Sequence, residues 1–303
     1  MTKQFYSNGK LLLTGEYAVL DGALSLAVPT IFGQSLKISE IDSPQIVWQS
    51  FDEKGTIWFE ATFALETLLS ENVKPSKDHV AFTLKKILKE AKRINPDFLK
   101  GKKGYKVETL LSFPRDWGLG SSSTLINNIA QWAKVDAFHL LWNAFSGSGY
   151  DIACAQHDTP ILYCLKNGKP MVEPIDFNPP FTNNLYFIHL DKKQNSREGI
   201  ARYRKMEFDS QKLICRISEI TENVISCSSL SDFEKLLAEH EQLISNTLQL
   251  PTLKDSLFSN YEGAIKSLGA WGGDFIMATG NEDTPKYFEE KGYKIVLPYS
   301  KMI

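Results

Sequence analysis

The chain has 303 residues, 43% hydrophobic and 23% charged, enough for one large or two medium globular domains with a real core. Its 34 Lys and Arg against 36 Asp and Glu give a net charge of −2, which argues against a polyanion-binding surface, so no nucleic-acid partner is expected. No stretch reaches the ~20 apolar residues of a membrane span, and the start of the sequence lacks the apolar core of a secretion signal. The four cysteines (Cys154, Cys164, Cys215, Cys227) contain no C-x-x-C pair, so a cytoplasmic protein with reduced thiols and no membrane partner is expected.

The first 60 residues read as β-rich: Leu11–Leu13, Leu24–Val28, Leu36–Ile41, Ile46–Gln49 and Thr56–Phe59 are short apolar or alternating runs broken by Gly, Pro, Asp and Ser. Residues 61–70 and 79–93 read as helices, the second with Val80, Leu84, Ile87, Leu88 and Ala91 on one face. Tyr105–Leu111 is a predicted strand feeding a glycine loop, followed by a helical pattern (Leu125, Ile126, Ile129, Trp132, Ala133) and an apolar segment, Phe138–Phe145. A second glycine turn, Gly147-Ser148-Gly149, opens a short helix at Tyr150-Asp151-Ile152-Ala153, and Ile161–Leu165 is a strand. The Pro-rich stretch 170–180 predicts the domain boundary, giving domains over 1–180 and 181–303. Beyond it come a strand at Leu185–Leu190, helices from 196 to 247, a third glycine cluster at Gly269–Asp274, a strand at Phe275–Ala278, a helix at 284–291 and a strand at 293–297. Strands followed by helices in each half argue for an α+β fold rather than a doubly wound sheet.

The loop at 113–124, Phe-Pro-Arg-Asp-Trp-Gly-Leu-Gly-Ser-Ser-Ser-Thr, carries the strongest chemical signal. Glycines let the backbone approach a bulky anion, and the helix they open presents unpaired N–H groups and the positive end of its dipole. A phosphate site and an ordinary helix cap both fit this stretch alone. Familiar nucleotide motifs fail on spacing: a P-loop needs a lysine after its last glycine, where Ser121 stands, and a dinucleotide fingerprint needs glycine in place of Ser123. No serine here has the flanking glycines of a nucleophile elbow. The five histidines form no H-E-x-x-H or His/Cys metal set.

Taken together, Gly9-Lys10 to Asp21-Gly22, the 114–124 loop, Asp151 after Gly149, and Gly269–Asp274 resemble the GHMP kinase superfamily, named for galactokinase, homoserine kinase, mevalonate kinase and phosphomevalonate kinase. That family's second motif, Pro, three residues, then Gly-Leu-Gly-Ser-Ser and small residues, matches Pro114 to Thr124, with Ser123 where alanine is usual. Trp271 interrupts the glycines of the third motif. The resemblance implies a ribosomal protein S5 domain 2-like N-terminal domain and a ferredoxin-like C-terminal one. It also implies transfer of the ATP γ-phosphoryl group, with Mg²⁺, to a small hydroxyl or phosphate acceptor, and a homodimer is an assembly it allows. Pro114, Gly118, Leu119, Gly120, Ser121, Ser122, Ser123 and Thr124 would bind the nucleotide, with Ser122 and Asp151 on the metal. Asp151 would take the acceptor's hydroxyl proton, and Lys10 would steady the transferring charge. Glu16, Tyr17, Gly149, Tyr150, Gly272, Gly273 and Asp274 would contact the acceptor.

Mevalonate kinases carry a second metal-binding glutamate about three helical turns before the aspartate; here the region reads His139-Leu140-Leu141-Trp142-Asn143, without an acid. That departure admits a second role, a catalytically impaired paralogue that senses a nucleotide or metabolite. The sequence Gly15-Glu16-Tyr17-Ala18-Val19-Leu20 is closer to phosphomevalonate kinases, and a phosphorylated acceptor would call on extra cations, for which Lys192, Lys193, Arg197, Arg202 and Arg204 are available. The chain is somewhat short for that branch, which keeps mevalonate kinase as the close rival.

Overall fold

The computed structural model describes residues 2–69, 78–192, 194 and 196–303. They divide into two compact units: the described residues of Met1–Gly9, Phe32–Arg115 and Leu119–Gln156, and those of Lys10–Ile31, Asp116–Gly118 and His157–Ile303.

The first unit is built on strands in the order β4-β3-β5-β2. Strand β3 (Gln45–Phe51) runs antiparallel to β4 (Ile57–Ala64) and parallel to β5 (Gly104–Leu111), and residues 34–41 of β2 (Ser25–Ile41) run antiparallel to β5. Alternation puts Ile46, Trp48, Val107, Leu111, Leu36 and Ile38 inside. The expected helix over 61–70 gives way to β4 as far as Ala64, where Phe63 pairs with Ile46; only Leu65–Leu69 is helical (α1), and position 70 lies outside the described residues. Cross-strand pairing of aromatic residues outweighs local helix propensity here. Helix α2 (His79–Ile94) starts where Asp78 caps the N–H groups of Val80 and Ala81. Ala81 rather than Val80 joins its buried face. Helices α3 (Ser121–Ala133) and α4 (Ala137–Ala144) pack with it, and α5 (Tyr150–Ala155) packs on α3 and α4. Behind α3, Ser7 from β1 (Thr2–Leu12) donates to Asn128 Oδ1 at 2.8 Å and accepts from Asn127 at 2.9 Å.

The second unit contains a four-stranded antiparallel sheet, β11-β8-β10-β9, formed by Val296–Pro298, Leu185–His189, Phe275–Thr279 and Ile265–Leu268. Ile188, Ile276, Ala278, Phe258 and Phe288 fill one of its cores. Helices α6 (Ser196–Tyr203), α7 (Ser210–Ser226) and α8 (Leu230–Leu248) bury Tyr203, Leu213, Ile217, Ile244 and Leu248 with Tyr17 and Trp271 in another. Short helices at Leu253–Leu257 (α9) and Thr284–Glu290 (α10) complete it. Two strands outside that sheet, β6 (Ile161–Lys166) and β7 (Lys169–Pro174), pair antiparallel, and β6 also takes Ser25–Ala27 of β2.

The fold is α+β with two sheets, as the element order predicts. The units do not meet at a cut near residue 180. Residues 10–31 belong with the second unit because the start of β2 pairs with β6 and the 3-10 turn at Ala18–Asp21 rests on α7. The first part of the Pro-rich stretch is strand: β7 lies at the edge beyond β6, where Pro170 and Pro174 remove no inner ladder bond. The cysteines form no disulfide, and among the described residues no helix is long and apolar enough to cross a membrane.

Candidate active site

Strand β5 delivers the chain to the glycine–serine loop. In the first unit, the exposed Arg115 lays its guanidinium 3.6 Å from the ring centroid of Trp58 on β4, tying down the limb that begins at Pro114. Gly118 (φ 67°) and Gly120 (φ 88°) both take the left-handed conformation that favours glycine. Gly120 stands at the N-cap of α3, so no side chain caps the first-turn N–H groups. Ser122 is exposed and Ser121 half-exposed, whereas Leu119, Ser123 and Thr124 are buried. Ser123 donates to the Gly120 carbonyl at 2.8 Å and Thr124 to Gln34 Oε1 at 2.9 Å; the Thr124 N–H is spent on the Gly120 carbonyl. The expected cradle therefore narrows to backbone N–H groups plus the hydroxyls of Ser121 and Ser122, because the third and fourth helical positions face the sheet.

Helix α5, also in the first unit, packs on α3 and carries Asp151 in its first turn, half-buried, after Gly149 (φ 92°) at the N-cap. Gly149 is buried and Tyr150 half-buried. The Asp151 side chain forms no ion pair or hydrogen bond among the described residues. Helix α4 offers no acid: Asp136 is its N-cap, accepting from the His139 N–H at 2.7 Å. Among the described residues no cluster of three or more His, Cys, Asp or Glu could hold a metal ion. The donors expected to meet a divalent cation in this unit are a hydroxyl at Ser122, which is exposed, and a carboxylate at Asp151, which is half-buried. That set fits Mg²⁺, which keeps waters and draws most ligands from phosphates, better than a cation needing a full protein cage.

In the second unit, Lys10 on β1 donates from Nζ to the Gly118 carbonyl at 3.0 Å. A Cβ at Gly118 would collide with the Asp274 carboxylate, and one at Gly269 would sit 3.9 Å from Lys10 Nζ. Lys10, Gly118, Gly269 and Asp274 thus gather at one place. The residues just before Gly118 are anchored there too: the Asp116 carbonyl lies 3.3 Å from His189 Nε2, and Trp117 packs edge-on against Phe275. Gly272 (φ 86°) and Asp274 (φ 53°) are left-handed, and a Cβ on Gly273 would meet the Lys192 carbonyl and Gln194. The Asp274 N–H donates to the Lys192 carbonyl at 2.8 Å, and its Oδ1 accepts from the Gln194 N–H at 3.3 Å.

Glu16 and Tyr17, expected at the acceptor, face inward. Glu16 is 0% exposed, with Oε1 2.6 Å from the equally buried Lys266 Nζ. Lys266 also donates to the Ser267 carbonyl at 2.6 Å and lies 3.2 Å from Glu241 Oε1. Burial pushes the Glu16 carboxyl up to about 7 against the opposing pull of Lys266, and pushes Glu241 up as well. Burial and then Lys266 hold the His240 imidazole well below its ordinary value. Tyr17 has a left-handed backbone (φ 59°), stacks on Tyr203 at 5.6 Å, and accepts from the Trp271 N–H at 3.0 Å. Its phenol is pushed up, chiefly by burial.

No family model matches the chain, and no curated protein sequence does. Among solved structures, it is similar to the mevalonate kinase of Methanococcus jannaschii at 18% identity and a TM-score of 0.71, over 96% of this chain and 94% of that one. It is similar to the Streptococcus pneumoniae phosphomevalonate kinase in complex with phosphomevalonate and AMPPNP at 17% identity and a TM-score of 0.69, over 95% of each chain. It is similar to the Lactococcus lactis galactokinase complexed with galactose at 13% identity and a TM-score of 0.68, over 95% of this chain and 88% of that one. The chain has the GHMP kinase fold.

Within this GHMP kinase fold, the basic group suggested for a phosphorylated acceptor is partly committed elsewhere. Arg202 donates to the carbonyls of Leu248 and Gln249 at the end of α8, and Arg204 pairs with Asp21. Lys193 lies outside the described residues. Sequence reasoning missed Lys266, His240 and Glu241. A signal was available: Glu16 lies within the mostly apolar run 11–20 and Lys266 in the short run Ile265-Lys266-Ser267-Leu268, two opposite charges in apolar settings that call for a buried partner.

Proposed function

We propose that this protein is an ATP-dependent phosphotransferase of the GHMP type acting on a small hydroxyl or phosphate acceptor of the mevalonate or phosphomevalonate class. The observation that carries the reading is the glycine-capped start of α3, with uncapped first-turn N–H groups and two open hydroxyls at Ser121 and Ser122, in a fold whose similar structures are kinases. Backbone N–H groups at a helix start suit the phosphates of ATP. Asp151 is the base for the acceptor hydroxyl, and Lys10 supplies positive charge toward the transferring group. Mg²⁺, held by Ser122 and Asp151, would neutralise phosphate charge. Pro114, Gly118, Leu119 and Gly120 shape the loop; Gly149, Tyr150, Gly272, Gly273 and Asp274 are proposed to border the acceptor. The commitment of Arg202 and Arg204 to structural contacts supports mevalonate ahead of phosphomevalonate.

The absence of an acid on α4 favours one second reading, a catalytically impaired nucleotide or metabolite sensor. ADP release measured with ATP, Mg²⁺ and a panel of mevalonate, 5-phosphomevalonate, homoserine and galactose separates the two. Turnover with one acceptor is expected; background rates with all of them, alongside measurable ATP binding, would establish the sensor.

A further inference from the structure

The buried cluster in the second unit has a hydrogen-bonding pattern that its charges alone do not explain. His240 Nε2 accepts the Gly15 N–H at 2.9 Å, so its lone pair is in use and the ring proton belongs on Nδ1. Glu16 Oε2 lies 3.2 Å from that same Nε2 and has no hydrogen-bond partner. An ionised oxygen and an imidazole nitrogen that already accepts a bond repel at this distance. A proton on Oε2 removes the negative charge and with it the repulsion.

The charge balance points the same way. Lys266 faces Glu16 and Glu241, and all three are buried, so full ionisation leaves a net negative charge in a dry site. The groups facing Glu16 are accounted for element by element. Strand β9 brings Lys266, α8 brings His240 and Glu241, and its own turn brings Tyr17; α7 packs on the neighbouring Thr14 through the uncharged Thr221, at 2.7 Å. No second cation among them balances the second carboxylate.

Lys266 lies on β9, which runs directly into Gly269–Asp274, and the residue after Glu16 holds the Trp271 N–H. Glu16 and Tyr17 therefore hold the strand that enters the turn and the Trp271 N–H within it. We infer that Glu16 carries a proton on Oε2, beside His240, and in this neutral state positions the Gly269–Asp274 turn through Lys266 and Tyr17. Glu16 is a positioning residue, acting through neighbours rather than on the acceptor. Loss of the proton leaves the repulsion uncompensated and loosens the turn. The upward push on the Glu16 carboxyl to about 7 sets this change near neutral pH.

The inference rests on the kinase reading only for its catalytic consequence, so its test uses a readout that needs no activity. The full chain is labelled with ¹³C-glutamate and 5-fluorotryptophan, with Glu16 and Trp271 assigned from Glu16→Gln and Trp271→Phe, and titrated from about pH 5 to about pH 9. The Glu16 carboxyl carbon and the Trp271 fluorine are expected to move together with one midpoint near neutrality. In Glu16→Gln, whose amide keeps the size and stays uncharged, Trp271 should hold the wild-type low-pH position at every pH. A Glu16 carbon ionised throughout, a charged His240 ring, or a Trp271 signal that ignores both the titration and the variant would overturn the proposal. Where phosphotransfer is measurable, kcat should fall as pH rises through the same midpoint, and Glu16→Gln should lack that limb. A chain with no turnover on any acceptor refutes the kinase reading and leaves the NMR outcome standing.

Discussion

At the start of α3 the chain leaves polar groups open: uncapped N–H groups behind Gly120, the hydroxyls of Ser121 and Ser122, and nearby in the same unit the half-buried carboxylate of Asp151. Around Glu16 the charges are shut away, with Lys266, Glu16 and His240 fully buried and Glu241 nearly so. Both regions are motif-bearing in sequence, each with a charged residue close to glycine. They differ in which face of the local structure meets the core. A glycine-capped helix start ends in solvent, whereas a turn between β1 and the Ala18–Asp21 segment is covered by β9 and α8. Open polar groups can receive a ligand; enclosed ones have already spent their bonding capacity on each other and act through the backbone they hold.

The comparison breaks most sharply at Asp151. Asp151→Asn should lower kcat by about a thousandfold while ATP affinity, measured calorimetrically, stays within about threefold. A variant with normal turnover would remove the open region's claim to be the chemical one. The enclosed region is tested by Lys266→Met, which strands two buried carboxylates and should cost about 3–5 kcal/mol in urea unfolding. Lys10→Ala comes next, with kcat lower by about a hundredfold and stability little changed, since Lys10 is expected to act on transferring charge.

Glu16→Gln sharpens the contrast through pH. With the Glu16 carboxyl raised from 4.5 to about 7, the folded chain holds more protons than the unfolded one between those values. The stability this contributes is complete below 4.5 and is lost as pH rises through about 7. Unfolding free energies of wild type minus Glu16→Gln should therefore fall over that window and level off above it; a flat difference would mean that Glu16 is ionised throughout. The smallest expected effect is on the stability of Ser122→Ala, within about 0.5 kcal/mol of wild type because the side chain is exposed, with Mg²⁺–ATP affinity the quantity that drops.

Much of the fold was legible because periodicity reports burial directly. The alternation in β3, the helical stripe of α2 with Asp78 before it, and the glycine-opened α3 and α5 all lie within a few residues of expectation. The misses share a cause. Strand β9 carries a lysine and so reads as polar, although Lys266 is buried; β7 carries two prolines and so reads as a linker, although an edge position tolerates them; β4 holds its last residues through pairing with β3. In each case a packing or pairing partner outside the segment supplies what the local pattern lacks.

By itself the sequence determined the α+β order of elements and the glycine turns that open α3 and α5. Only the tertiary structure decided which charged residues face outward. Glu16 and Lys266 are 250 residues apart, and nothing in either neighbourhood specifies that each is the other's counterion. Ser122 and Thr124 are two positions apart on one helix turn, yet one is open and the other donates to Gln34. Burial is a property of the whole packed chain, and it decides whether a charge is presented to a ligand or neutralised inside.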